Sequence, residues 1–198
     1  MSAPGRRQRR RQEVHDRILA AAVALFEKQG FAATTTLEIT DAADVAEKTF
    51  YNHFPTKQHL IQELAAWSLG EMRALLEEAR EAPGTTADRL RHFFSRFADT
   101  AEAGSRELTR ELILEMVRVG QVEGSRDLHA GFGALLEDAI ARGELAPGLD
   151  VAFHAELAVA THTGILINWV SQPDYPLRER LLATARFLAR SLELEDPR

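Results

Sequence analysis

Apolar residues recur at three- and four-residue spacing along almost the whole chain, and strand-like alternation is nearly absent. Ile18, Ala22, Leu25 and Phe26 make one helical face. The helix they define ends at Gly30, which suits a left-handed cap, with Phe31 as its apolar partner. Thr35-Thr36-Leu37-Glu38 then reads as a capping box, in which Thr35 and Glu38 satisfy free amides reciprocally. The helix that follows is short, because Asp44-Val45 arrives after about two turns. A third short helix carries Phe50 and Phe54 on one face and stops at Pro55. A long helix runs from Thr56 to about Ala82, where Pro83-Gly84 breaks the pattern. Further helices are expected over 86–103, 105–119, 121–142, 150–172 and 176–194, with breaks at Ala103-Gly104, Gly120, Pro147-Gly148 and Gln172-Pro173.

The predicted architecture is all-α, with a three-helix head ahead of a bundle of longer helices. Two short helices around a tight turn, over 34–57, form a helix-turn-helix whose second helix can enter a major groove. Ile39, Ala43, Val45, Phe50 and Phe54 can pack on Ala22, Leu25 and Phe26. That leaves Glu47, Lys48, Thr49, Tyr51, Asn52 and His53 outward on the second helix, as donors and acceptors for phosphates and base edges.

Charge sharpens this reading. The net charge of −6 argues against nucleic acid, but it is unevenly spread. Residues 1–60 hold 9 Lys and Arg against 7 Asp and Glu, and the remainder 15 against 23. Arg6, Arg7, Arg9, Arg10 and Arg11 cluster at the start, a basic end on an acidic body. Without cysteine there is no disulfide, thiolate chemistry or Cys-ligated zinc. No signal peptide is visible, and the apolar run from Leu157 to Val170 is too short to span a bilayer, so a cytoplasmic protein without membrane contact is expected. Enzyme chemistry finds no foothold. Gly131-Phe132-Gly133 lacks a third glycine and a preceding strand, and the histidines are scattered; neither metal nor cofactor is expected.

Together, LFEKQGF, the Thr34-Thr35 pair, Ile39, Ala43, Val45, Thr49-Phe50-Tyr51, His53-Phe54 and Lys57 resemble the DNA-binding domain of the TetR family over about 15–62. Three positions depart from the family pattern: Asp44 stands at the turn for Gly, Ala46 at the helix cap for Ser, and Lys48 for the Gly before Thr49. Asp tolerates the turn, and Ala46 is a poor cap. Lys48 stands where it can read guanine or grip a phosphate.

The resemblance implies three parts: a flexible basic arm (1–11), a helix-turn-helix DNA-binding domain (12–55) and a helical effector-binding and dimerisation domain (56–198). It implies that Thr34 and Thr35 approach the DNA backbone, that Thr49, Tyr51 and His53 face DNA, and that Lys57 binds a phosphate. Lys48 and Asn52 join them as candidate base readers, and the five arginines as a DNA arm. The expected function is a sequence-specific regulator, a repressor released from a near-palindromic operator by an unknown small molecule. The alternative is an effector-independent or architectural DNA binder. Trp67, Phe97, Glu111, Glu115, Met116 and Trp169 are the candidate effector pocket, and the helix from Thr56 its lever on the head. Leu157, Thr161, Ile165 and Asn168, with Leu181, Ala185 and Leu188, are the candidate homodimer interface.

Overall fold

A computed structural model describes residues 5–118 and 122–193. The break read at Gly120, residues 1–4 and residues 194–198 lie outside the described residues. Among those described there are helices and no strand: α1 (Arg6–Gln29), α2 (Thr36–Ala42), α3 (Glu47–His53), α4 (Lys57–Glu81), α5 (Thr86–Ala103), α6 (Arg106–Arg118), α7 (Val122–Ala141), α8 (Val151–Ser171) and α9 (Leu177–Glu193). The boundaries fall within a residue or two of those expected, because each is set by a local stop or cap. None of these helices is long and apolar enough to cross a membrane.

The arginine run corrects one expectation. It is not a flexible arm, because Arg6, Arg7, Arg9, Arg10 and Arg11 form the opening turns of α1. Arginine is a good helix former, and Val14, Ile18 and Ala22 carry the same helix into a packed core. This outweighs the like-charge crowding and an N-cap, Gly5, that offers no side-chain hydrogen bond.

The chain forms two compact units, and their division also differs from the expected one. The first joins residues up to Ala65 with Glu107–Met116; the second holds Ala66–Arg106 and the residues from Val117 onward. The start of α4 and most of α6 therefore belong with the head, because Leu60, Ile61 and Leu64 complete its core and Leu108 and Leu112 pack on it. Ile18, Ala22, Phe26, Ile39, Phe50 and Phe54 fill the centre. Of the expected face, Ile18, Ala22 and Phe26 are buried and Leu25 is only half-buried.

In the second unit α5 supplies Leu90, Phe93, Phe94, Phe97 and Ala98 to the core. Helix α9 packs on α5, and α8 on α7 and α9. Gly131 lets α7 lie close to α4, since a Cβ there would stand 2.7 Å from Leu76 Cδ1. Helix α5 starts from a Thr85–Asp88 capping box, and the Glu144 carboxylate accepts from the Thr86 amide at 2.6 Å and its hydroxyl at 2.7 Å. Burial pushes the Glu144 carboxyl up, but Arg142 and these Thr86 donors outweigh it and take it down to about 2.

Candidate nucleic-acid interface

The site begins with two short helices held at their ends by local chemistry. At α2, Thr35 Oγ1 accepts from the Glu38 amide at 3.2 Å while a Glu38 carboxylate oxygen accepts from the Thr35 amide at 2.7 Å. Hydrogen bonds from the Thr35 amide, then from Gln29 Nε2 and the Thr35 hydroxyl, hold the Glu38 carboxyl below its ordinary value. Asp44 takes φ 49, the left-handed turn expected of it, and the Val45 amide closes the turn on Thr40 O at 3.0 Å. Gly30 departs from expectation: with φ 82 and ψ 158 it adopts an extended conformation open essentially to glycine alone, not a left-handed helical cap.

Seven residues long, α3 has one buried side chain, Phe50, on which the head core closes. Lys48, Tyr51 and Asn52 are exposed, as is Glu47, and Thr49 is half-buried. Tyr51 is 47% exposed, its ring edge-on to Phe50 at 5.3 Å, and its hydroxyl lies 3.5 Å from Thr36 Oγ1. Thr36 was not singled out in the sequence; its proximity to Tyr51 depends on how α2 crosses α3. The outer face of α3 is thus polar, anchored by an aromatic ring and free of bulky aliphatic residues.

Three expected contacts are engaged within the chain. Thr34 is 1% exposed and its hydroxyl donates to Gly30 O at 2.8 Å, so it secures the α1–α2 loop and does not face outward. Thr35 is exposed but already committed to its capping box. Lys57 is half-buried, and its ammonium donates to Phe31 O at 2.7 Å and Thr34 O at 2.6 Å while resting 4.3 Å over the Phe31 ring. Burial lowers its pKa, opposed by Glu111 and Glu38. His53 is corrected as well: it is half-buried beside His15 at 5.7 Å and Phe54, so it packs toward α1. Burial, then His15, then Arg11 lower its pKa.

The remaining candidates divide between the two units. Glu111, Glu115 and Met116 lie in the first, with Glu115 2% exposed and accepting from Gln58 Nε2. Trp67, Phe97 and Trp169 lie in the second. Trp67 is 65% exposed, whereas Trp169 is buried beneath the Arg106 guanidinium at 5.0 Å. Neither unit gathers all six. Leu181, Ala185 and Leu188 are buried within the chain, where α9 packs on α5, and so cannot form an interface with another copy. Helical spacing gave α9 the right apolar face but not its partner. Leu157, Thr161 and Ile165 stay half-buried and Asn168 exposed along α8.

The sequence profile of bacterial regulatory proteins of the tetR family matches residues 18–64, the segment that forms these helices. A probable HTH-type transcriptional regulator of Pseudomonas putida, ArpR, is 30% identical over 177 residues, covering 82% of this chain and 83% of its own. The chain belongs to the TetR family. TtgR, another HTH-type transcriptional regulator of Pseudomonas putida, is 29% identical over the same length and shares. Thermus thermophilus FadR, a TetR-family repressor solved with lauroyl-CoA, superposes with TM-score 0.70 at 22% identity, over 93% of this chain and 98% of its own. SmeT, the repressor of the Stenotrophomonas maltophilia multidrug efflux pump SmeDEF, does so with TM-score 0.71 at 23% identity, over 89% of each chain. These likenesses extend the TetR fold to both units, and the relatives are transcriptional regulators.

Proposed function

We propose that this TetR-family regulator is a homodimeric repressor that reads a near-palindromic duplex through α3. The observation that carries this is the exposed polar face of Lys48, Tyr51 and Asn52 on a helix fixed from behind by Phe50 and Phe54. Lys48 and Asn52 have the donor sets that read guanine and adenine edges, and Tyr51 suits a phosphate. Arg6 to Arg11 extend a positive surface along α1, ending one turn before His15, which packs beside His53 at the end of α3. Thr34 and Lys57 act behind the face as its supports.

Dimerisation uses the apolar residues that α8 and α9 leave uncovered. Phe153, Ile167 and Phe187 are 53%, 45% and 56% exposed. With Leu157, Thr161, Ile165 and Asn168 beside them, they suit a symmetric helical interface. A small-molecule effector acts through the second unit, and α4 and α6, each with residues in both units, carry its effect to the head. Regulators solved with lauroyl-CoA, stearoyl-CoA and triclosan share the fold, which supports an effector-responsive reading.

Selection of binding sites from random duplexes by the full-length protein, followed by footprinting, tests the proposal. The expected result is a dyad-symmetric motif with half-site centres about one helical turn, ~34–36 Å, or a near multiple apart. A motif without a dyad, or no enrichment, overturns it.

A further inference from the structure

His162 is a buried group that neither the fold nor the DNA-facing site uses. It lies on the inner side of α8, 2% exposed, and its Nε2 has no hydrogen-bond partner. Phenylalanines enclose it. The Phe97 ring stands edge-on at 4.5 Å, with Phe93 at 6.1 Å and Phe94 at 6.3 Å, and Phe132 abuts Phe93 at 5.1 Å. Burial alone lowers the imidazole pKa to about 4, so it is neutral at pH 7. An unpaired polar atom in such surroundings is destabilising. A phenylalanine would fill the volume without that cost, and an N–H contact with the Phe97 face would recover only a small part of it. A bound partner for Nε2 accounts for the histidine.

The walls define that partner. Aromatic rings on several sides favour a flat apolar body, and one polar atom asks for one hydrogen-bonding group. A charged group would be desolvated without a counter-charge. A hydroxyl both donates and accepts, so it pairs with Nε2 in either imidazole tautomer. Phe132 and Ala158 also line a cavity of only about 10 Å³, which His162 itself does not line. Entry therefore requires a ring to turn. Phe97, at 8% exposure, is the least sealed of the four phenylalanines; Phe93 and Phe94 are at 0% and Phe132 at 2%.

We propose that His162 Nε2, inside the Phe93, Phe94, Phe97 and Phe132 cluster, anchors a neutral hydroxylated aromatic ligand, and that this ligand is the effector. The inference rests on the effector-responsive reading above and adds the ligand's class, its anchor and its entry side.

Calorimetric titration of the full-length protein with 2-naphthol and with naphthalene tests it. Wild type is expected to bind 2-naphthol at least tenfold more tightly than naphthalene. In His162→Phe the preference falls below threefold, naphthalene binding persists, and the melting temperature is equal or higher. His162→Leu serves as the second variant should the first fail to fold, and the wild-type preference stands without either. No 2-naphthol binding, equal binding of the two probes, or a preference that survives both substitutions overturns the assignment. Saturating 2-naphthol is also expected to weaken binding to the selected duplex at least tenfold; binding at His162 with unchanged DNA affinity overturns the effector role. The two readings fail separately. A selected dyad motif without naphthol preference sinks only this inference, whereas naphthol binding without any selected motif sinks the DNA-binding proposal and the effector role with it, leaving the His162 anchor standing.

Discussion

Single residues carry more structural work in the head than their spacing suggests. The Lys57 ammonium bridges two carbonyls that end the α1–α2 connection, Phe31 O and Thr34 O. Lys57→Met leaves both without that donor, and hydrogen bonds from a charged group are worth about 1.5–3 kcal/mol. A lower melting temperature in scanning calorimetry, without DNA present, is the expected outcome; an unchanged one would show the tether to be dispensable. Any loss of DNA affinity in such a variant has to be read against that loss of fold. His162 gives a second prediction at this scale. Its folded pKa of about 4 lies below the ordinary 6.5, so the unfolded chain takes up the proton first. The neutral ring's contribution to stability is complete above pH 6.5 and is lost as the pH falls through about 4. One pKa unit is about 1.4 kcal/mol, so the loss is on the order of 3 kcal/mol. Denaturant unfolding between pH 7 and 4 should show a shallower decline in His162→Phe than in wild type, and parallel curves would refute the prediction.

Among the elements, α3 starts without a side-chain cap. Its N-cap, Ala46, takes an extended backbone, φ −69 and ψ 146, and makes no side-chain hydrogen bond. Ala46→Ser places an acceptor at that helix end and is expected to stabilise the protein by about 1 kcal/mol. Urea denaturation measures this as a higher midpoint at constant slope, and a lower midpoint would show that the cap geometry is not available to serine. Helix α5 is the contrasting case, capped by its own Thr85–Asp88 box and again by Glu144 from after α7. The box was present in the sequence as Thr85-Thr86-Ala87-Asp88; the Glu144 cap was not legible, because it spans 58 residues.

For the whole molecule, the consequential surface is the one that α8 and α9 leave apolar. Phe187 is 56% exposed although α9 buries Leu181, Ala185, Leu188 and Leu192 within the chain. Two copies meeting there would cover Ile167 and Phe187, and a charged group buried without a partner is strongly unfavourable. The double substitution Ile167→Glu and Phe187→Glu is therefore expected to give a monomer in sedimentation velocity, with its helical circular dichroism intact. A variant that still sediments as a dimer places the interface elsewhere.

Local chemistry was legible from the sequence alone. Helix limits, the Thr35–Glu38 box, the strained Asp44 turn and the inner face of α3 each depend on residues within one or two turns of one another. The likeness to the TetR family rested on those same positions. Tertiary structure decided whatever required a distant partner. Lys57 and Thr34 turned inward because carbonyls of the α1–α2 connection stand within reach, and His53 because α1 brings His15 beside it. The arginine run became helix because the apolar face behind it is packed. Helix α9 spent its regular apolar face on α5, leaving Phe187 outside, since periodicity gives the direction of a face but not what covers it. The unpaired nitrogen of His162 likewise emerged only when Phe93, Phe94 and Phe97 of α5 and Phe132 of α7, all distant from α8 in sequence, closed around it.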